Sequence, residues 1–532
     1  MADQVWWGWG REDAHAPLPE PVAAALSAEL GALREPRGPV ALEEVALPGS
    51  RLDAGVADRL GRSARVRTDR AARVGHAAGR SYPDLVRLRR GDGSPAPDAV
   101  VVPGRAQDVG VVLEACAAAG VAVVPFGGGT SVVGGVEPLA GPFGAVVALD
   151  LRGLGGEPRI DERSLTAVLG AGLSLPQAEE RLAAWGLTLG HFPQSFEFAT
   201  VGGCVATRSA GQASTGYGRI DELVRGLTLV APAARVELGP RPRSAAGPEL
   251  RELLVGSEGA FGVITAAALS VRPRPEVRRY EGWAFRSFAE GAEALRVLEQ
   301  SGAAPDVARL SDEEETRATL MQASGHAAQL LGRYLGLRGR ACLAILGWEG
   351  ERADVSRERA RTAALARRWG GAPLGAAPGR AWERARYHGP YLRDALLDRG
   401  LLVETLETAT QWSSLGALHR SVRAALRAAL GDASLVLCHL SHLYASGASL
   451  YFTWLAQVPE GAELERWREA KAAASQAIVA EGATITHHHA VGRDHVPYLE
   501  AEIGPAGMAL LRAAKAELDP AGIMNPGKLL PA

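Results

Sequence analysis

The chain has 532 residues, of which 47% are hydrophobic and 22% charged, a composition that excludes a disordered chain, a coiled coil or a collagen-like fibre. At about 150 residues per domain, this length predicts roughly three to four domains. The 58 Lys and Arg residues nearly balance the 60 Asp and Glu residues, so no global positive field attracts nucleic acid or an anionic membrane.

Cysteine usage and the N-terminal sequence favour a cytoplasmic protein. The cysteines show neither disulfide nor metal-ligand spacing, and the first residues lack the charged and apolar regions of a signal peptide. The uncharged run 115–136 is long enough to cross a bilayer, but its six glycines and Pro125 would break a lipid-exposed helix. The scattered cysteines are Cys116, Cys204, Cys342 and Cys438.

In chain order, residues 1–94 combine early tryptophans, proline-rich stretches and arginine-rich helical patches such as Val56–Arg65, which predicts a mainly helical N-terminal segment. The next pattern predicts strands over Ala99–Pro103 and Val121–Pro125 around a helix over Ala106–Ala119. Alternating strands and helices continue through Val263–Thr265, and Pro273 and Pro275 mark a boundary. One domain is therefore expected over residues 95–275.

A second α+β domain is expected over residues 276–495. The pattern there predicts helices over Ser287–Ser301, Val355–Trp369 and Glu463–Glu481, and strands over Ala341–Trp348 and Ala448–Trp454. In the remaining segment, 496–532, a helix over Ala506–Leu518 ends at the stop signal Asp519-Pro520-Ala521-Gly522.

Three glycine-rich segments could bring backbone N–H groups close to an anionic group. The first follows an apolar strand at Gly127–Gly129, the second includes Gly202 and Gly203, and the third begins at Gly256. A P-loop lysine and a Rossmann glycine pattern are both missing from the first. Each segment alone is more simply a tight turn, but three in order within about 140 residues favour a loop-built dinucleotide site.

These segments, PFGGGTSVVGG, GHFPQSFEFATVGG, ATRSAG and GSEGAFGVIT, resemble the FAD-binding domain of vanillyl-alcohol-oxidase-type flavoproteins. Within that superfamily the chain is most similar to the alkyldihydroxyacetonephosphate synthase family, which also has an early motif like Trp7-Gly8-Trp9-Gly10. The other shared motifs are Arg309-Leu310-Ser311-Asp312, Tyr391-Leu392-Arg393-Asp394, Glu404-Thr405-Leu406-Glu407-Thr408, Ser441-His442, Gly447-Ala448-Ser449-Leu450-Tyr451-Phe452 and His487-His488-His489-Ala490-Val491-Gly492-Arg493.

The resemblance implies an α+β fold. It has a two-subdomain FAD-binding domain of the vanillyl-alcohol-oxidase (PCMH) type, an α+β cap domain with an antiparallel sheet, and a C-terminal segment packing back on the FAD domain. FAD is expected to be non-covalent, because no histidine lies between Leu113 and Leu189. The implied FAD-binding residues are Pro125, Phe126, Gly127, Gly128, Gly129, Thr130, Ser131, Gln194, Ser195, Phe196, Glu197, Phe198, Ala199, Thr200, Gly203, Thr207, Arg208, Ser209, Ala210, Glu258, Gly259, Ala260, Phe261, Gly262, Val263 and Ile264.

The implied reaction belongs to ether lipid synthesis: the acyl chain of acyl-dihydroxyacetone phosphate is exchanged for a fatty alcohol through a flavin N5 adduct. Proton removal beside a carbonyl needs a base, a role that histidine fills. By resemblance, one or more of His487, His488 and His489 supply the base, Tyr451 aids acyl departure and Arg393 lies near flavin N5. Arg309, Thr405 and His442 are the implied substrate-binding residues.

The histidine run also has simpler interpretations. Side chains alternate along an extended segment, so at most two of His487, His488 and His489 are expected to face one pocket, with the third packing elsewhere. No Asp, Glu or Cys set in the sequence completes a metal site beside them, so no metal is expected. Without the resemblance, Tyr451 would be a core tyrosine, and Arg309 and Arg393 solvated or ion-paired arginines.

Three departures from the family leave the substrate open. Gln194 stands where the synthases usually have an acidic residue, Cys204 replaces a tryptophan, and residues 519–528 look more like D-lactate or glycolate dehydrogenases. The alternatives are therefore an FAD-dependent dehydrogenase or oxidase of a 2-hydroxy acid or glycerol 3-phosphate, and a flavin-binding protein without turnover. The expected partner is a lipid-like or hydroxy-acid small molecule, not nucleic acid. The resemblance adds peripheral membrane contact and a homodimer.

Overall fold

The computed structural model describes residues 4–322 and 341–531. The sequence predicts no targeting signal at either terminus. That prediction includes Met1–Asp3 and Ala532, which lie outside the described residues. Among the helices of the described residues, none is long and apolar enough to cross a membrane.

The first sheet is mainly parallel and has the strand order β1-β2-β4-β3. Its strands are β1 (Ala64–Arg67), β2 (Ala99–Pro103), β3 (Val121–Phe126) and β4 (Ala145–Asp150). The helices of this part are α1 (Glu20–Leu30), α2 (Ala54–Gly61), α3 (Arg70–Gly75), α4 (Tyr82–Arg89) and α5 (Ala106–Ala119). The predicted β2-α5-β3 unit is confirmed.

The arginine-rich patch at Val56–Arg65 is helical only in its first half. Asp53 caps α2 by accepting hydrogen bonds from the backbone N–H groups of Gly55 and Val56. The chain then enters β1, which pairs antiparallel with β2, so the first sheet begins inside the predicted helical segment. Tertiary pairing therefore decides the conformation of Ala64–Arg67.

A second, antiparallel sheet has the order β5-β6-β10-β8-β9, and β7 and β11 form a separate pair. The strands of the second sheet are β5 (Arg159–Asp161), β6 (Thr166–Gly170), β8 (Val224–Val230), β9 (Arg235–Leu238) and β10 (Val263–Ser270). The separate pair consists of β7 (Leu187–Thr188) and β11 (Arg272–Pro273). The helices are α6 (Leu175–Ala183), α7 (Val201–Ala206), α8 (Ser214–Tyr217), α9 (Ile220–Leu223) and α10 (Leu250–Leu254).

The third sheet is antiparallel throughout, with the order β15-β12-β14-β13-β17-β18-β16. Its strands are β12 (Val277–Phe285), β13 (Val307–Ser311), β14 (Cys342–Gly350), β15 (Ala372–Gly375), β16 (Leu401–Gln411), β17 (Ser434–Tyr444) and β18 (Gly447–Gln457). The accompanying helices are α11 (Phe288–Gln300), α12 (Glu313–Gln322), α13 (Arg352–Arg368), α14 (Ala376–Ala385), α15 (Gly389–Asp398), α16 (Leu415–Leu430), α17 (Glu463–Ala480) and α18 (Val496–Leu518).

The largest apolar core lies between the third sheet and its helices and includes the fully buried Trp283, Trp348 and Trp454. The first two sheets have cores of their own. The C-terminal residues return to the first sheet: Met524 forms a β-bridge with Val123, and the Asn525 N–H donates to the carbonyl oxygen of Val123.

Candidate functional site

A narrow cleft runs between the first two sheets and is lined by the predicted glycine-rich segments. The predicted residues that line it are Pro125, Gly127, Ser131, Thr200, Gly203, Thr207, Glu258, Gly259, Gly262, Val263 and Ile264. Residues that the sequence reasoning did not single out as cofactor contacts complete the wall, namely Gly135, Val136, Leu151, Ala171, Gly202, Ala206 and Ala490. An adjoining cavity of about 490 Å³ shares Thr207, Glu258 and Ala490 with the cleft and reaches His487.

The first two glycine-rich segments touch each other, and this contact explains why glycine is needed. A Cβ at Gly128 would lie 2.1 Å from the carbonyl oxygen of Phe198, and one at Gly127 would lie 2.4 Å from Thr200 Oγ1. Any side chain there would separate the two loops. The backbone is thus free to approach a phosphate, which is how a dinucleotide diphosphate is held.

Glu258 links the third segment to the histidine run. Its carboxylate accepts hydrogen bonds from the backbone N–H groups of Val491 (2.8 Å) and Gly492 (2.7 Å). Burial raises the pKa of Glu258 to about 7. The Asn525 side chain donates to the carbonyl oxygens of Gly135 (3.2 Å) and Glu258 (2.6 Å). The C-terminal segment therefore fastens the cleft walls to each other.

Other residues proposed for FAD lie outside the cleft wall. Phe261 is fully buried in the apolar core of the second sheet. The Arg208 guanidinium pairs with Asp221 and Glu252, each at 3.1 Å, so it fastens local loops. The remaining proposed residues that do not line the cleft are Phe126, Gly128, Gly129, Thr130, Gln194, Ser195, Phe196, Glu197, Phe198, Ala199, Ser209, Ala210 and Ala260.

Two of the predicted substrate residues, Arg309 and Thr405, lie with the predicted catalytic Tyr451 on one face of the third sheet, whereas His442 lies at a break in the register of β17. Tyr451 in β18 stands opposite His439 in β17 and Glu407 in β16, and Arg309 in β13 stands opposite Ser441 in β17. Directly opposed residues share a face of the sheet, and so do residues two positions apart in one strand. Alternation therefore puts Arg309, Thr405, Glu407, His439 and Tyr451 on the same surface.

Arg309 belongs to a row of charged and polar side chains that contact one another on this surface. Its guanidinium bonds Glu315 at 2.6 Å, and the same carboxylate oxygen lies 3.1 Å from His439 Nδ1. The His439 ring stacks on Tyr451 with a centroid separation of 4.9 Å. Burial opposes ionisation of Glu315, but His439 and Arg309 lower its pKa to about 2. Arg309 thus presents a cation whose position is fixed by a buried anion.

The histidine run is bent, which corrects the expectation of an extended segment. The buried Glu407 carboxylate accepts hydrogen bonds from the backbone N–H groups of His487 and His489 and from Thr486 Oγ1. The chain therefore curves around one carboxylate, and side-chain alternation no longer applies. The Tyr451 ring lies 6.0 Å from the His488 ring and 5.5 Å from the His489 ring.

Burial sets the proton affinities of this cluster. Desolvation lowers the pKa of His487 and His488, and lowers that of His489 to about 3, so these imidazoles are neutral at pH 7. Burial also raises the pKa of Tyr451 to about 12, so its hydroxyl stays protonated. The cluster therefore joins neutral proton acceptors to a protonated phenol, with the Glu407 carboxylate close by to stabilise an imidazolium.

Arg393 in α15 is mostly buried. Its Nη1 donates to the carbonyl oxygen of Arg80 at 2.7 Å, whereas its Nε and Nη2 atoms are buried without hydrogen-bond partners among the described residues. Unsatisfied buried donors are costly, so they point to a ligand. Arg393 lines neither the glycine-built cleft nor the adjoining cavity, so its position near the flavin stays a prediction.

Sequence reasoning missed several residues that hold the site in place. Glu407 lies inside the Glu404–Thr408 motif, whereas Glu315 and His439 have no local signal. The N-terminal segment Gln4–Gly10 also reaches the loops: Gln4 donates to the carbonyl oxygen of Gly128 at 2.8 Å, and Trp9 Nε1 to Glu197 at 3.3 Å. The Trp7–Gly10 motif was the available signal.

Comparisons with known proteins agree with this arrangement. Residues 97–238 match the family model described as "FAD binding domain", and residues 274–529 match "FAD linked oxidases, C-terminal domain". The chain is thus an FAD-dependent flavoenzyme with a cap domain of the FAD-linked oxidase class.

Alkyldihydroxyacetonephosphate synthases are similar over nearly the whole chain. The protein from Trypanosoma brucei brucei is 34% identical and that from Dictyostelium discoideum 32%, each alignment covering 88% of this chain and 78% of the relative. A solved alkyldihydroxyacetonephosphate synthase structure superimposes with a TM-score of 0.87 at 27% identity and 99% coverage of both chains. The chain belongs to the alkyldihydroxyacetonephosphate synthase family. The predicted family, fold class and FAD requirement are confirmed.

Proposed function

We propose that this enzyme exchanges the acyl chain of an acyl-dihydroxyacetone phosphate for a fatty alcohol, giving an alkyl-dihydroxyacetone phosphate and a free fatty acid. The observation that carries the proposal is the grouping of Tyr451 with the His488 and His489 rings beside the fixed cation Arg309. The exchange conserves atoms: the fatty alcohol loses a proton and the departing carboxylate gains one. No net oxidation occurs.

Each residue of the site has a role in this reaction that suits its chemistry. Arg309 binds the substrate phosphate, because a guanidinium held by Glu315 offers a planar grip on a dianion. Thr405 hydrogen-bonds Tyr451 and lies on the same face of the sheet, close to the substrate. A neutral imidazole of the histidine run removes a proton from the carbon beside the ketone and later returns one to it. Tyr451 donates a proton to the departing acyl oxygen and regains one from the incoming fatty alcohol.

The flavin site completes the proposal. FAD, when bound, supplies an electron-accepting ring next to the substrate carbon. The loops with Gly127, Thr200 and Gly259 hold the dinucleotide. Arg393 steadies negative charge at the ring edge through Nε and Nη2, which donate no hydrogen bond within the described residues, although Nη2 lies 3.9 Å from the Asp394 carboxylate. His442, which contacts the His487 and His488 rings, closes the substrate side.

Anaerobic absorption titration of the holoenzyme tests this function. Palmitoyl-dihydroxyacetone phosphate alone should diminish the visible flavin band, and hexadecanol should restore it with release of palmitate and no electron acceptor. If instead only D-lactate, glycolate or glycerol 3-phosphate bleaches the flavin, and oxygen or a quinone restores it, the proposal is wrong and the enzyme is a dehydrogenase.

We further infer that the enzyme is a cytoplasmic homodimer with peripheral membrane contact, since long-chain substrates partition into bilayers. Flotation with phosphatidylcholine vesicles and light scattering test the two parts separately. The proposal also divides the chain into an N-terminal segment (1–94), an FAD domain (95–275), a cap (276–495) and a returning C-terminal segment (496–532). Its support is the presence of separate sheets, and limited proteolysis tests the boundaries.

A further inference from the structure

His442, His487 and His488 form a compact group that the proposed exchange does not need as a unit. One ring nitrogen from each residue lies within 4.8 Å of one from each of the others. Imidazole nitrogens bound to one tetrahedral Zn²⁺ are about 3.4 Å apart, given Zn–N distances of about 2.0–2.1 Å. A small rotation of the rings would therefore bring all three nitrogens onto one ion.

The position of His442 depends on a break in a strand. The register of β17 shifts between Ser441 and Leu443, and His442 at the break has a φ of +51°. A non-glycine residue in this region is strained, and a bulge redirects the side chain at which it occurs. Here the bulge turns the His442 ring towards His487 and His488, at centroid distances of 5.1 and 5.2 Å.

Outer contacts orient the rings as they do in histidine metal sites. Ser214 Oγ lies 2.5 Å from His442 Nδ1, and the Tyr444 hydroxyl lies 2.7 Å from His487 Nε2. The His488 Nδ1 atom lies 3.6 Å from the Glu407 carboxylate and 2.9 Å from His487 Nδ1, a hydrogen bond between the two rings that a bound metal would replace. Such partners fix which ring nitrogen is available to a metal and supply a compensating negative charge.

We propose that His442, His487 and His488 bind a divalent transition metal, with Zn²⁺ the best-fitting ion, and that the bound metal inhibits the enzyme. Three neutral nitrogen ligands with an open fourth position suit Zn²⁺, and imidazole is a ligand that it favours. The sequence predicts no such site because the third ligand comes from β17, 45 positions before His487. Inhibition rests on the proposed function, since the metal would occupy a lone pair of His488, one of the two imidazoles beside Tyr451.

Metal binding is measured on the untagged holoenzyme after chelator treatment and dialysis. Co²⁺ should add d–d absorption at wavelengths beyond the oxidised flavin bands, with an intensity typical of four-coordination and a stoichiometry of one. Zn²⁺ should displace the Co²⁺ and, in a separate calorimetric titration, bind once per chain. Failure to observe either signal would overturn the metal site, whether or not acyl exchange is detected.

Variants assign the ligands. His442→Gln and His488→Gln should each weaken Zn²⁺ binding at least tenfold, whereas His388→Gln, at an exposed histidine, should leave the affinity unchanged. Unchanged affinity in both ligand variants would refute the assignment. Because two ligands are tested on different elements, misfolding of one variant leaves the other informative, and flavin content reports on folding.

The inhibition is tested apart from the binding. In the acyl-exchange assay, Zn²⁺ should abolish turnover with a midpoint equal to the calorimetric dissociation constant, and excess chelator should restore it. Absence of exchange without metal would contradict the proposed function alone. Full exchange at saturating Zn²⁺ would contradict the inhibitory role.

Discussion

At the scale of single residues, Tyr451 is the group whose chemistry is most confined by its surroundings. Its ring lies between His439 on one side and His488 and His489 on the other, and burial keeps its hydroxyl protonated. A phenylalanine would keep the ring contacts and remove only the acid. The site therefore allows the proton-transfer role to be separated from packing.

Tyr451→Phe should retain the flavin spectrum and lose acyl exchange by about 10²–10⁴-fold, the range for removal of a general acid. Turnover is followed by release of labelled fatty acid, and flavin content by absorption. Tyr498→Phe, which removes a tyrosine hydroxyl from α18 at the edge of the apolar core, is the matched control. Turnover that survives in the Tyr451 variant would remove this residue from the mechanism.

Glu407 positions the histidine run without touching substrate in the proposed reaction. Glu407→Gln keeps the shape but replaces an acceptor oxygen by an amide that faces N–H donors, so the bend at His487–His489 should loosen. We expect turnover to fall at least tenfold with flavin retained. Glu404 is a buried carboxylate of the same strand, but it accepts a hydrogen bond from Trp467. Glu404→Gln should therefore lower thermal stability with little effect on turnover. Equal turnover losses would contradict a specific positioning role.

At the scale of elements, hydrophobic periodicity predicted the helices and strands whose conformation depends on the local sequence. Strand β2, helix α5 and strand β3 were predictable because apolar runs and a glycine stop coincide there. The bend of the histidine run was not, because it depends on Glu407, which lies 80 positions from His487. The His442 bulge likewise reflects pairing with β18, which no local pattern of residues records.

The N-terminal segment Gln4–Gly10 acts as a strap between the FAD loops and the cap. Trp9 packs against Phe198 at 5.5 Å between ring centroids, and its main-chain N–H donates to Asp394 in α15. Trp9→Ala should therefore weaken FAD binding by about tenfold, corresponding to about 1.4 kcal/mol. Fluorescence of released FAD during a urea titration measures the loss. Trp185→Ala, at an exposed tryptophan, should change nothing, and equal effects of the two variants would refute the strap.

At the scale of the whole molecule, a buried carboxyl group lies where parts that are distant in sequence meet. Asp494 follows the histidine run, and its carboxylate lies 4.0 Å from Lys471 in α17. Glu404 from the cap sheet and Asp84 from α4 act on it electrostatically, as does Arg493 beside it. Residues of the N-terminal segment and of distant parts of the cap therefore meet around one carboxyl group.

This junction should make the stability of the folded protein depend on pH. Burial raises the pKa of Asp494 to about 7 from its ordinary 3.8, so between these values the folded protein holds a proton that the unfolded chain has released. Stability therefore declines as pH rises through this interval. Asp494→Asn removes the ionisable group, so between pH 5 and 8 the free energy of unfolding of this variant should fall by about 1–3 kcal/mol less than that of the wild type. The effect of its amide beside Lys471 on stability is the same at every pH and does not alter this difference. Unfolding midpoints at fixed excess FAD, taken across this pH range, measure the dependence of stability on pH. Asp432→Asn, at an exposed aspartate, is the control. If wild type and Asp494→Asn show the same dependence, the Asp494 carboxyl is ionised throughout the range.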